Sequence, residues 1–225
     1  MQTHNGLDAA LRSIADELTV VRDWHQVSRS LEQGRFATVF GSARTERGAP
    51  SYEMARELGE ALAERGWAVV TGGGPGIMQA ARDGSGDTRS RSVRIEIPGE
   101  EPETVLDRTR AITVATFALR KLLLIHDIDA LFVFPGGVGT FDELFEVLVQ
   151  QDTGRLRRIP VVLVEPEGGR LWDAWLRFMD EHLMQSGLAS PSVLANLRSA
   201  KSVDAALAAV AEPAGRALAE MDGRA

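Results

Sequence analysis

The chain contains no cysteine. Disulfides, thiolate nucleophiles and cysteine-ligated zinc are therefore excluded. Histidine is scarce: His4, His25, His126 and His182 are all there are, and no two stand at metal-ligand spacing. Each reads as a surface or packing residue, and no metal or cofactor is expected. There is no surplus of positive charge. Lys and Arg number 25 against 32 Asp and Glu, a net charge of −7, which argues against a nucleic-acid binder. A small phosphorylated ligand stays compatible, because backbone amides and a few arginines can hold it. No apolar run approaches a transmembrane span, and the first six residues lack a basic segment leading into an apolar one. The expectation is a cytoplasmic protein with no membrane partner. Three nucleotide or hydrolase signatures are also missing. No Gly-Lys-Ser/Thr closes a glycine run, no G-x-G-x-x-G follows the first strand, and no Gly-x-Ser-x-Gly sits at a strand-to-helix turn.

What is present is an alternation of apolar runs and amphipathic segments. Residues 7–33 carry Leu7, Leu11, Ile14, Leu18 and Val21 at helical spacing. This segment is expected to pack outside the domain or on a partner subunit. Strands are expected at 36–40, 67–70, 93–97, 130–134 and 159–164, with a short one within 109–115. Helices are expected at 52–65, 77–82, 117–125, 171–184 and 204–210, with another after residue 140. Residues 83–92, rich in Gly, Ser, Asp and Arg, read as a loop. The fold class that follows is α/β: a Rossmann-like, doubly wound, mostly parallel sheet with helices on both faces. The expected division is an N-terminal helical extension at 1–34, one domain at 35–210 and a fraying tail at 211–225.

In such sheets ligands bind outside the carboxyl ends of the strands. Three small-residue turns fall there: Gly41-Ser42-Ala43, Thr71 through Gly76, and Pro135-Gly136-Gly137-Val138-Gly139-Thr140. The third runs from a buried apolar strand into a helix, where exposed N–H groups favour an anion. Taken alone it is either a phosphate cradle or a tight turn whose glycines satisfy geometry. Glu143, read as lying in the first turn of the following helix, is either a helix-dipole partner or a functional carboxylate. Arg120 is either a surface ion-pair partner or a functional cation. Lys121 beside it points about 100° away around the helix, so both cannot face one ligand squarely. Glu96, Glu100 and Glu101 flank Pro98 near the end of another strand.

These motifs, in order, resemble the LOG ("Lonely Guy") family, whose members were long misannotated as lysine decarboxylases. The resemblance rests on Gly41-Ser42-Ala43-Arg44, Thr71-Gly72-Gly73-Gly74-Pro75-Gly76-Ile77-Met78, Arg120-Lys121 and Pro135-Gly136-Gly137-Val138-Gly139-Thr140-x-x-Glu143, and it covers about residues 36–185. It implies a Rossmann-like homodimer or larger assembly. It also implies a phosphoribohydrolase that splits a nucleoside 5′-monophosphate, such as a cytokinin riboside monophosphate or AMP, into free base and ribose 5-phosphate. The implied catalytic residues are Arg120 and Glu143. The implied substrate-binding residues are Gly41, Ser42, Gly73, Gly74, Met78, Glu96, Lys121, Gly136, Gly137, Gly139 and Thr140, with Gly136 to Thr140 on the 5′-phosphate. A non-hydrolytic nucleotide or molybdenum-cofactor carrier on the same fold is the alternative, and a nucleotide sensor is a third. The chain also departs from the family pattern. Arg94 stands where relatives commonly have glycine, Glu103 near the place of an asparagine, and Phe117-Ala118 where an aromatic pair is frequent. These departures fall on the base and ribose side and leave the phosphate loop intact.

Overall fold

The apolar runs become strands because each can bury both faces. β1 (Phe36–Phe40) is buried at every position, as are β2 (Ala68–Thr71), β5 (Ala130–Val133) and β6 (Val161–Val164). Continuous burial of this kind marks a parallel sheet covered on both sides. In the computed structural model, which describes residues 11–12, 14–19, 21–24, 26, 34–95 and 110–211, seven strands form one sheet in which every pairing is parallel. β3 (Ser90–Ile95), β4 (Ala111–Val114) and β7 (Leu197–Ala200) complete it. The order is β4-β3-β2-β1-β5-β6-β7. The chain winds outward from β1 in one direction, then returns to β1's other side with β5. The β1–β5 boundary is thus the topological switch point, where a crevice opens at the carboxyl ends.

Side chains alternate across the sheet with period two. Phe36 and Phe40 enter one core, with Val70, Val93, Leu131 and Val133. Ala37 and Val39 enter the other, with Val69, Phe132 and Val162. Helices α3 (Phe117–Ile125), α4 (Val138–Asp152) and α5 (Leu171–Phe178) contribute Leu124, Leu144 and Trp172 to the first core. Helices α1 (Pro50–Glu64), α2 (Ile77–Ser85) and α6 (Val203–Ala211) contribute Leu58, Ile77 and Ala206 to the second. The described residues between 11 and 26 are helical; Val21 is buried in the first core and Trp24 packs on it. Glu17 reaches the start of α3, accepting from Ala115 N and from Thr116 Oγ1. Thr116 in turn caps α3 by accepting from Leu119 N at 3.4 Å, a contact worth about 1 kcal/mol in helices generally. Among the described residues no helix is long and apolar enough to cross a membrane.

Several expected boundaries move. Residues 83–92 are not a loop: α2 runs on to Ser85, a 3₁₀ turn covers Asp87–Arg89, and β3 begins at Ser90. Ser85, Ser90, Arg91 and Ser92 are buried there, and part of their polarity is met locally. Ser85 and Ser90 hydroxyls lie 2.7 Å apart, Ser90 Oγ donates to Gly86 O, and Arg91 stacks on the Phe36 ring at 4.4 Å. The helix expected at 171–184 ends as an α-helix at Phe178 and widens into a π-helical turn, Met179–Met184. β7 was absent from the sequence-based expectation.

Candidate active site

The three small-residue turns meet at the switch point because backbone bonds stitch them together. Ser42 N donates to Pro135 O at 3.1 Å, joining the β1 turn to the β5 turn. Ile77 N donates to Ser42 O at 3.0 Å, joining the β1 turn to α2. The Ser42 hydroxyl accepts from Arg44 N within its own loop. Gly41 sits so close to α2 that a Cβ there would lie 2.6 Å from Ile77 Cγ2.

The turn after β2 is held from beneath. Thr71 Oγ1 accepts from Gly73 N at 3.2 Å, and Arg82 Nη1 donates to Gly74 O at 3.1 Å. Gly73 has a positive φ of 75°, a conformation that suits glycine. Met78 lines the same turn: its Sδ would lie 2.9 Å from a Cβ on Gly72 and its Cε 2.7 Å from one on Gly74.

The third turn differs from its sequence reading in one respect. Helix α4 already begins at Val138, with Gly137 as its N-cap and no side chain capping it. Val138, Gly139 and Thr140 are therefore its first turn, and their N–H groups need acceptors from elsewhere. The space above them is open: a Cβ on Gly137 or Gly139 would meet nothing within 4 Å. Gly136, by contrast, lies against Thr140, whose Oγ1 would be 2.1 Å from a Cβ there. Such an arrangement can take an anion on backbone amides with a hydroxyl at its side. Glu143 is corrected from the first turn of α4 to the second, and the first turn holds no acidic residue. The dipole role open to Glu143 from sequence falls away with that shift, because the dipole effect fades beyond the first turn.

Glu143 instead meets Arg120. Arg120 Nη1 donates to Glu143 Oε1 at 2.8 Å, and both side chains are nearly nine-tenths buried. Arg120 is held at two more points. Its Nε donates to Val93 O at 3.3 Å, and its Nη2 rests against Gly72, where a Cβ would lie 2.1 Å away. Gly72 is thus the seat of the guanidinium. Burial pushes the Glu143 carboxyl above the usual carboxylate range; Arg120 opposes this, and the neighbouring Asp142 reinforces it. A carboxyl group raised in this way keeps its proton to higher pH than an ordinary glutamate.

Lys121 does not share that cluster. Its Nζ donates to Asp142 Oδ1 at 3.3 Å and Glu146 Oε2 at 3.1 Å, farther out between α3 and α4. The 100° turn between Arg120 and Lys121 therefore sends them to separate acidic groups. Gly41, Ser42, Gly73, Gly74, Gly136, Gly137, Gly139 and Thr140 lie on the three turns, and Met78 lies on α2 against the second of them; Glu96 is outside the described residues. Sequence reasoning missed Arg82 and the Val93 carbonyl, and it read Gly72 only as part of the turn after the second strand. Arg82 carried no local signal, because its burial to 9% exposure shows only in the folded chain. It also missed Phe141, which fixes the start of α4 by packing edge-on against Trp172 at 5.6 Å.

A family model described as "Possible lysine decarboxylase" matches residues 62–210. A cytokinin riboside 5′-monophosphate phosphoribohydrolase of Mycobacterium tuberculosis is 34% identical over 167 residues, 71% of this chain and 84% of that protein. A probable enzyme of the same description from Oryza sativa subsp. japonica is 33% identical, over 63% of this chain and 57% of that protein. Among solved structures, the molybdenum cofactor carrier protein of Chlamydomonas reinhardtii is similar with a TM-score of 0.53 and 25% identity. That likeness covers 80% of this chain and 97% of the carrier. Amino-acid decarboxylation through pyridoxal phosphate needs a lysine available for a Schiff base. The chain has two lysines, and both are committed to carboxylates: Lys121 as above, and Lys201 to Glu165 Oε1 at 2.7 Å.

Proposed function

The chain belongs to the LOG family, the family that carries the "Possible lysine decarboxylase" description, and we propose that it is a nucleoside 5′-monophosphate phosphoribohydrolase. The observation that carries this reading is the buried Arg120–Glu143 pair, set beside the Gly72 turn and within reach of an open helix N-terminus. The 5′-phosphate would sit on the amides of 137–140 and the Thr140 hydroxyl. Ribose would then lie over the switch point toward Gly72 and Gly73. Breaking the bond between C1′ and the base nitrogen leaves positive charge on the ribose ring and negative charge on the base. Glu143, as carboxylate, stabilises the first or takes the proton of the water that attacks C1′. Arg120 holds Glu143 in place, and its remaining donors face charge developing in the site. The departing base takes up the proton that water gives up, and the products are ribose 5-phosphate and free base.

The ligand is a small nucleotide and not a nucleic acid, and the site of action is the cytoplasm. A second copy of the chain is the proposed occupant of an apolar strip on α3 and α4, where Phe117, Leu122 and Val149 are 60%, 41% and 58% exposed. Sedimentation of the purified chain is expected to give a dimer or a multiple of dimers; a monomer at micromolar concentration would remove that proposal. A carrier on the same fold is the competing reading, supported by the likeness to the algal protein.

Incubation with a panel of nucleoside monophosphates separates the two. Free base and ribose 5-phosphate should appear in equal amounts, whereas binding without release would favour the carrier. The pH profile adds a second check. Glu143 must be ionised to act, and its folded-state pKa is raised by burial. The acid limb of kcat/KM should therefore lie above the ordinary glutamate value of about 4.3. A limb at or below that value would show that the working carboxylate is not Glu143.

A further inference from the structure

The helical residues described between 11 and 26 lie along α3, the helix that carries Arg120. Glu17 meets its start, at Ala115 and Thr116, and Trp24 lines a small cavity with Leu123 near its end. Glu17 and Trp24 are seven residues apart, as are Thr116 and Leu123. The two segments therefore run side by side in the same direction for about two turns. Val21, between the two contacts, is buried in the first core.

What Glu17 does at that end follows from the donors it meets. An ionised carboxylate has only acceptors. One of its oxygens accepts from Ala115 N, the other from Thr116 Oγ1 at 3.4 Å. With its proton turned to Glu17, the Thr116 hydroxyl presents a lone pair to α3. Leu119 N donates to that oxygen at 3.4 Å, which caps the helix. The first turn of α3 holds no acidic residue of its own, and Glu17 supplies the negative charge that a helix N-terminus favours.

Arg120 stands one turn into that helix. Its backbone N–H donates to Thr116 O at 3.1 Å, so the cap and the guanidinium ride on the same turn. The guanidinium meets three elements at once: Glu143 on α4, Val93 O on β3 and the Gly72 seat after β2. The far end of α3 is fixed by Leu124 and Ile125 in the first core, whereas Phe117 at the near end faces outward, 60% exposed. Placement of the near end falls to Leu119, which is buried, and to Glu17. We propose that Glu17 is a positioning residue: by clamping the start of α3 it sets Arg120 where it can meet Glu143 during base release. The inference rests on the phosphoribohydrolase reading and adds to it a residue of the N-terminal segment.

The test compares Glu17→Ala and Glu17→Gln with the wild type in release of base from AMP, GMP, CMP, UMP and N6-isopentenyl-AMP. Values of kcat and KM are measured separately across pH, and circular dichroism gives the folded fraction. In Glu17→Ala kcat should fall by about tenfold or more, the size that a small misplacement of a catalytic group produces. KM should stay within about threefold, because the amides of 137–140 are untouched. The acid limb of kcat/KM should also move to higher pH, because a displaced Arg120 holds the buried Glu143 carboxyl down less well. Glu17→Gln keeps one acceptor oxygen and should lose less than Glu17→Ala. Loss of folded protein alone would lower the rate in step with the circular dichroism and leave the acid limb in place. That pattern would overturn the assignment, as would wild-type kcat in a folded Glu17→Ala protein. Release of no base from any of these nucleotides by the wild type would instead defeat the phosphoribohydrolase reading, and the positioning role with it.

Discussion

Replacing Glu143 with glutamine is expected to lower kcat/KM for base release by about 10²- to 10⁴-fold, the usual contribution of one positioned acid–base group. The fold should survive. Glutamine has nearly the same volume, and its carbonyl oxygen can still accept from Arg120 Nη1, now at 2.8 Å from the carboxylate. The buried charge that disfavours folding is also gone. Because the Glu143 carboxyl is raised above its unfolded value, its effect on stability is fully favourable at low pH and is lost as pH rises through the folded pKa. At neutral pH the glutamine variant sheds that penalty but leaves the buried Arg120 guanidinium without its counter-ion, so it should fold and melt below the wild type. Circular dichroism and thermal melts check the fold, and steady-state assays check the rate. Near-wild-type turnover in a folded Glu143→Gln protein would remove Glu143 from the mechanism.

The layer structure was legible because the central strands are nearly pure in apolar residues. Phe36 to Phe40 and Ala130 to Val133 bury every position, so no polar face obscures the strand. β3 shows the opposite case. Ser90, Arg91 and Ser92 read as loop, yet they are 8%, 5% and 1% exposed. Their burial depends on partners distant in sequence, such as the Phe36 ring under Arg91, and a local window cannot supply those. β7 escaped notice for a related reason. It is an edge strand of four residues, Leu197 to Ala200, with only Ala200 buried.

The site divides in the same way. Its glycine turns and the Arg120–Glu143 candidates could be found in sequence, since strand ends and helix starts are local features. What joined them could not. The start of α4 at Val138 moved Glu143 out of the dipole's reach, and only the folded chain sets Arg120 on Gly72. The family resemblance supplied the pairing of Arg120 with Glu143 before geometry did. The structure adds the reason that Gly72 must lack a side chain.

Removing Arg120 should be the more damaging of the two changes. Arg120→Ala leaves Glu143 buried without its cation, and breaking a buried ion pair from one side commonly costs about 3–5 kcal/mol. It also opens space between Gly72, Val93 and α3, so stability should fall as well as rate. The Glu143 carboxyl, already raised by burial, loses the group that holds it down and should rise further. The acid limb of any residual activity is then expected to shift to higher pH, with the largest loss of rate at acidic pH. Arg120→Lys is the controlled comparison. An ammonium can neutralise Glu143 but cannot reach Glu143, Val93 O and the Gly72 seat together, so it should restore much of the stability and little of the rate. Activity in Arg120→Lys equal to the wild type would show that charge alone suffices. An unshifted acid limb in Arg120→Ala would show that Arg120 does not govern the proton on Glu143.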